Sequence, residues 1–513
     1  MARSPLLDML QRAARQHANA ERAERHHEHG GIGRRGLLRG AAGVAVASMV
    51  PAVGLAATAR IAIVGAGLAG LTAARELRKA NHVADLFEGS TRIGGRCYSA
   101  RGFFGDGQVA EHGGEFIDSD HREIQGLAKE LGLTLDDVLK ATPANTRERY
   151  VFNGKPYNLA DATRDWQPLY PILKQQQAEL GKYSYRSSTP AARRFDAMTI
   201  SDWVAAHVPG GRGGQLGQLI ENAFTEENGA DTDQQSALNL IPVLAEDEKR
   251  NFNLYYTESD QRLHVRGGND QIPALLAKGL GGGIQSATPL VAIARLPDGR
   301  LRLSFKRDAG TVDRVYDRVI LALPFSVMRV SVDFKDAGFR PLKRQAIETL
   351  PIGASTKFQM QFTRRAWTDA GCNGEMRVPS QVFQTTWEVS RGQPGTAGIL
   401  NFFSGGTRAL NAGKTDAVTL AATVLKDLGV VMPNLSESWT GLMIKDAWKS
   451  NPWSLGSYSY YPPGYQTTVM GIEAEPEGNC FFAGEHTAEQ SAFMNSGVES
   501  GMRAAKQVIA SLR

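Results

Sequence analysis

From Arg60 the chain reads Arg60-Ile-Ala-Ile-Val64, then Gly65-Ala-Gly67-Leu-Ala-Gly70, then Leu71-Thr-Ala-Ala-Arg75-Glu-Leu77. This is a strand, a glycine turn and a helix start in direct succession. Gly65 permits the tight turn, Gly67 lets a pyrophosphate approach the backbone, and Gly70 lets helix and strand pack closely. The helix N-terminus then offers unpaired N–H groups and partial positive charge to an anion. A second strand, Val83-Ala-Asp-Leu-Phe87, ends in Glu88, whose carboxylate is placed to accept from ribose hydroxyls. The spacing predicts a βαβ unit over residues 60–88 that binds a dinucleotide.

The rest of the chain is long enough for two domains. At 513 residues, with 42% hydrophobic and 22% charged residues, it has the balance of an ordinary globular protein. Residues 1–59 hold eight of the 58 Lys/Arg and four of the 53 Asp/Glu, leaving 50 against 49 in the remainder. That near-neutral balance gives no support to nucleic-acid binding. Cys97, Cys372 and Cys480 are odd in number and far apart, which implies neither a disulfide framework nor a metal site.

The basic excess sits in the leader. Arg34-Arg35-Gly-Leu-Leu-Arg39 precedes an uncharged run from Gly40 to Ala57, and Ala57-Thr-Ala59 supplies small residues suited to cleavage after Ala56 or Ala59. The run is short, only mildly apolar and interrupted by Pro51, which argues against a membrane anchor. The pattern resembles a twin-arginine export signal, which implies the twin-arginine machinery as a partner and a periplasmic or secreted product.

Further along, Arg122 to Leu131 places Ile124, Leu127, Ala128 and Leu131 at helical spacing, and residues 140–260 read as mostly helical. Strand patterns return at Leu301 to Phe305, at Arg318 to Pro324, and at Lys357 to Phe362, which alternates as a half-buried strand would. The chain closes on a strand from Cys480 to Ala483, a turn at Gly484, and a helix with Val498, Met502, Ala505, Ile509 and Leu512 on one side.

Four further segments resemble the flavin-containing amine oxidase family, which includes monoamine, polyamine and L-amino acid oxidases. Arg92-Ile-Gly-Gly95-Arg96 matches its R-x-G-G-R. Val265-Arg-Gly-Gly268 and Thr288-Pro-Leu-Val291 match the segments that return to the cofactor domain, with Val291 meeting adenine through its backbone. Trp448, Trp453-Ser-x-Gly456-Ser-Tyr458 matches the aromatic segment along the flavin. Phe482-Ala-Gly484-Glu485-His-Thr487 and Ala492-Phe493-Met494-Asn-Ser-Gly-Val498-Glu-Ser-Gly501 match the C-terminal flavin signature.

The resemblance implies an α/β fold in which a Rossmann-type FAD-binding domain (60–139, 261–325 and 452–513) is interleaved with an α+β substrate domain (140–260 and 326–451), after the 1–59 leader. It implies FAD as cofactor, contacted by Gly65, Gly67, Gly70, Glu88, Gly95, Arg96, Gly113, Gly114, Glu115, Val291, Trp448, Gly484, Glu485, Met494 and Val498. Monoamine oxidases that link their flavin use a cysteine in S-G-G-C-Y. Here Ser454-Leu-Gly-Ser457-Tyr458 carries a hydroxyl instead, so non-covalent binding is expected.

For the chemistry, Tyr458 and Phe493 match two aromatics that flank a substrate amine, with Trp453 in the same aromatic segment. Lys357 matches the lysine that holds a water near the flavin and favours reaction with oxygen. The implied reaction is oxidation of a C–N bond, giving a 2-oxo acid, ammonia and hydrogen peroxide from an L-amino acid. Glu115 and Asp118 are placed to grip a cationic side chain, which points to basic amino acids. Against this, Phe116 stands where L-amino acid oxidases carry the carboxylate-clamping arginine of G-P-M-R-x-P. The alternatives are a monoamine or polyamine oxidase, or an amino acid dehydrogenase that passes electrons to a quinone instead of oxygen.

Overall fold

The computed structural model describes residues 59–245, 260–307 and 310–513. The twin-arginine segment and the uncharged run behind it lie outside the described residues. Among the described residues no helix is long and apolar enough to cross a membrane.

The opening βαβ unit builds one half of the molecule. Ile61–Val64 sits mid-sheet, flanked in parallel by Arg318–Leu321 and Ala84–Phe87, with Cys480–Phe482 and Ile284–Gln285 at the edges. All four residues of Ile61–Val64 are buried, as a parallel strand covered on both faces must be. Helices Leu68–Lys79 and Met494–Ser511 cover one face through Leu71, Leu77, Val498 and Val508. The other face packs on a three-stranded antiparallel sheet (Leu290–Arg295, Leu301–Arg307, Gly310–Tyr316), where Phe87 stacks on Phe305 at 4.1 Å.

The second half is a seven-stranded mixed sheet in the order Trp439–Ala447, Ser355–Phe362, Gly398–Gly405, Thr385–Glu388, Cys372–Arg377, Arg147–Phe152, Lys155–Pro156. Helices between Leu159 and Ala245 gather around Trp203, Phe224 and Leu219 in a core of their own. The fold is thus the expected mixed α/β architecture, with two differences in detail. Arg147–Phe152, within the region read as helical, is a strand of the large sheet, paired parallel to Cys372–Arg377. Ser355–Phe362 is buried on both faces instead of one. Its apolar residues Phe358, Met360 and Phe362 enter one core, while Lys357, Gln359 and Gln361 are covered by the 105–115 segment and bond to its backbone. An alternating pattern signals a solvent face only when nothing polar is laid over it.

Candidate active site

The glycines of the fingerprint divide the work as the turn requires. Gly65 has φ of +104°, and a Cβ there would come within 2.6 Å of the Ala322 carbonyl. A Cβ on Gly70 would meet the Gly65 carbonyl at 1.8 Å, so strand and helix touch through that residue. Gly67 differs: a Cβ would meet nothing within 4 Å and would stand in the cleft. Gly67 is also the N-cap of helix Leu68–Lys79 and brings no side chain to its first turn, which leaves N–H groups for an anionic ligand. Met494–Ser511 likewise begins without a side-chain cap. Gly501 lets the two helices close up, since a Cβ there would lie 2.3 Å from the Ala69 carbonyl.

The cleft that both helix starts reach holds about 1300 Å³ of space, its open mouth included. Gly65, Gly67, Glu88, Gly95, Arg96, Gly114, Trp448, Trp453, Gly484, Glu485, Phe493 and Met494 all line it. Glu88 is held by two backbone amides, from Ala66 on Oε2 and Ser90 on Oε1, each at 2.8 Å. Trp448 donates its indole N–H to the His112 carbonyl at 3.0 Å.

Glu485 ties the far end together. Its carboxylate accepts from Arg96 Nη1 at 2.9 Å, Ser459 Oγ at 2.9 Å and the Ala492 amide at 3.1 Å. Burial would raise its pKa, but the Arg96 charge, His486 and the hydrogen bonds from Arg96 and Ser459 outweigh burial and hold the carboxyl below its ordinary range. Ser459 follows Tyr458 and Ala492 precedes Phe493, so one buried anion sets the backbone beside both aromatics. Tyr458 donates its hydroxyl to the Glu226 carbonyl at 2.7 Å. Phe493 and His121 form a T-shaped pair with ring centroids 4.5 Å apart.

Several expected residues lie elsewhere. Trp453 is 45% exposed, and its ring covers Gly89, next to Glu88, at the nucleotide end of the cleft; a catalytic part does not fit that position. Val498 faces the core and Gly497, one helical position earlier, lines the cleft. Pro289 and Leu290 line it in place of Val291, whose carbonyl accepts from the Asp333 amide at 2.8 Å. Gly113 sits behind the lining, where a Cβ would lie 1.9 Å from the Arg96 carbonyl.

Lys357 and Glu115 form a buried ion pair at 2.7 Å, with side-chain exposures of 0% and 2%. The second Glu115 oxygen accepts from Trp387 Nε1 at 2.9 Å. Asp118 accepts from the Gln261 amide at 2.8 Å. The grip on a cationic substrate expected of Glu115 is therefore taken up inside the fold, because the lysine it faces is the protein's own.

Sequence reading missed Trp387 and the buried pair Arg377–Glu226, bidentate at 3.0 and 2.6 Å. Beside that pair, burial pushes the Glu375 carboxyl up to about 7, against the lowering effect of Arg377 and Tyr150. Glu226 and Arg377 are 151 positions apart and belong to no motif, so nothing local announced them.

Comparison with known proteins agrees with this architecture. The family model described as flavin containing amine oxidoreductase matches residues 68–509. A mouse L-amino-acid oxidase is 26% identical over 472 residues, 88% of this chain and 70% of that protein. A pig flavin-containing amine oxidase B is 23% identical, covering 88% and 86%. Among solved structures, cyclohexylamine oxidase from Brevibacterium oxydans superposes with a TM-score of 0.76 at 20% identity, covering 89% and 99%. Putrescine oxidase bound to putrescine gives 0.74 at 22%, covering 88% and 99%. The glycine cradle and the cleft have the form of a dinucleotide-binding site, and the family match makes the protein a flavin-dependent oxidoreductase. The chain belongs to the flavin-containing amine oxidoreductase family.

Proposed function

We propose that the protein oxidatively deaminates an L-amino acid with FAD held non-covalently and oxygen as the acceptor. The carrying observation is that the nucleotide cleft runs from Gly67 and Glu88 to Glu485, which sets the backbone beside Tyr458 and Phe493. When bound, FAD supplies the hydride acceptor. Gly67, Gly95 and the start of helix Leu68–Lys79 would hold the pyrophosphate, and Glu88 the ribose. Tyr458 and Phe493 would exclude water and orient the amine-bearing carbon.

Four observations refine the reading. Ser457 is buried and donates to the Gly353 carbonyl at 3.0 Å, and Cys97, which lines the cleft, has its thiol pushed well up by burial and by the charges of Glu111 and Asp270. Neither is a ready nucleophile toward a flavin. Arg377 is committed to Glu226, so it does not serve as the carboxylate clamp. Arg391, half-buried, stands 5.8 Å over the ring of Phe116, the position where the clamp is expected, and is our candidate for it. Export by the twin-arginine route, with FAD loaded first, belongs to the same proposal. The second reading, an oxidase of simple amines, is favoured by Phe116 itself.

The deciding experiment is anaerobic mixing of the purified yellow protein with a panel of L-amino acids and primary amines. Bleaching of the flavin by one or more L-amino acids is expected. Bleaching by amines alone overturns the amino acid reading, and a flavin reoxidised by quinone but not by oxygen overturns the oxidase reading.

A further inference from the structure

We propose that Glu115 is the positioning residue for Lys357, fixing its ammonium behind the Gly114 wall of the cleft. The inference rests on the role given to Lys357 in reaction with oxygen, and deepens it. Lys357 donates to the Glu111 carbonyl at 2.6 Å, the Gly113 carbonyl at 3.2 Å and Glu115 Oε2 at 2.7 Å. An ammonium has three protons, and these are three acceptors. Only Glu115 among them is charged. The nearby carboxylates are engaged elsewhere: Glu111 accepts from Ser99 and pairs with His264 at 2.9 Å, and Asp446 pairs with His112 at 2.8 Å. A fully buried cation without a counter-ion is strongly disfavoured.

The second Glu115 oxygen shows why this residue must be a carboxylate. It accepts from Trp387 Nε1, so both oxygens face donors. An amide offers one acceptor and one donor, and in either orientation leaves a donor facing a donor. The sheet closes the arrangement into a ring. Trp387 pairs with Asn401, Asn401 pairs with Gln359, and Gln359 Nε2 donates to the same Glu111 carbonyl that Lys357 uses. Lys357 therefore holds a fixed place behind the cleft wall, with its position set from two strands across the sheet.

The test is a double-mutant cycle of wild type, E115Q, K357M and E115Q/K357M. It is read by stopped-flow flavin reduction, by reoxidation with oxygen, and by thermal melting of the four apoproteins. E115Q is expected to slow reoxidation about tenfold more than it slows reduction. On the K357M background, the same substitution should change reoxidation less than about twofold. The E115Q/K357M apoprotein should melt above E115Q, since no charge is then left unpaired. Equal E115Q effects on both backgrounds, in rate and in melting, overturn the proposal. Should K357M reoxidise like wild type, the oxygen role of Lys357 falls. The positioning claim is then judged by melting alone, where additive losses overturn it and non-additive losses support it.

Discussion

Replacing Glu485 by glutamine should loosen the flavin end of the cleft and lower stability together. The carboxylate accepts from Arg96 and, at longer range, the Ser459 amide on one oxygen, and from Ser459 Oγ and the Ala492 amide on the other. Glutamine can turn its one carbonyl oxygen to either side, but its NH2 then faces the donors of the other. Two charge-assisted bonds are lost, at roughly 1.5–3 kcal/mol each, and breaking a buried pair by removing one partner costs about 3–5 kcal/mol. Unfolding entropy of about 2.1 cal/mol/K per residue over the roughly 440 described residues gives about 0.9 kcal/mol/K, so melting should fall by about 3–5 °C. The sign with pH follows from the lowered carboxyl. Its folded value lies below the ordinary 4.5, so the contribution is complete above that value and is lost as pH falls through the folded one. The gap between wild type and E485Q should therefore be full at pH 7 and shrink in acid. Calorimetry of the apoprotein from pH 7 downward, with FAD retention on a desalting column, measures both effects. A variant that melts within 1 °C of wild type and keeps its FAD would refute the reasoning, to the precision of these roughly 1 °C per kcal/mol figures.

Other outcomes follow from the same geometry. Gly67→Val should abolish FAD retention while leaving the apoprotein folded, because its side chain would enter open cleft and not protein; a fully yellow variant would exclude this loop as the pyrophosphate site. Acid precipitation should release FAD to the supernatant, and colour that stays with the pellet would make Cys97 or a histidine the attachment point. Arg391→Met should raise KM for an amino acid about tenfold or more, the loss of a charge-assisted carboxylate contact, without a like change for an amine of the same side chain. Equal changes for both would remove Arg391 as the clamp.

The two halves of the site were unequally legible. The nucleotide half is written in consecutive residues, because a tight turn, a close backbone approach and a helix start are properties of neighbours along the chain. Gly65, Gly67, Gly70 and Glu88 therefore carried their meaning in order. Errors there were errors of a single step, as with Val498 against Gly497, where one residue is 100° around a helix. The large sheet was different. Cys372–Arg377, Thr385–Glu388 and Gly398–Gly405 bury asparagine, glutamate, arginine and threonine, so their hydropathy does not mark them as interior strands.

Those buried polar residues become intelligible only across strands. Lys357 pairs with Phe403 and Phe403 with Thr385; one row further, Gln359 pairs with Asn401 and Asn401 with Trp387. Paired residues share a face, so the two rows set a cation, amides and an indole N–H against the 105–115 segment. Each would be costly there alone. Lys357, Gln359 Nε2 and Trp387 Nε1 are tolerated because that segment supplies the Glu111 and Gly113 carbonyls and the Glu115 carboxylate in return. On its other side the segment lies directly against the Arg96 backbone because Gly113 has no side chain, a Cβ there colliding with the Arg96 carbonyl and crowding Trp448. The same glycine that reads in sequence as a cofactor contact is thus what lets the segment form one wall between the cleft and the large sheet, with Gly114 on the cleft side and Lys357 behind it.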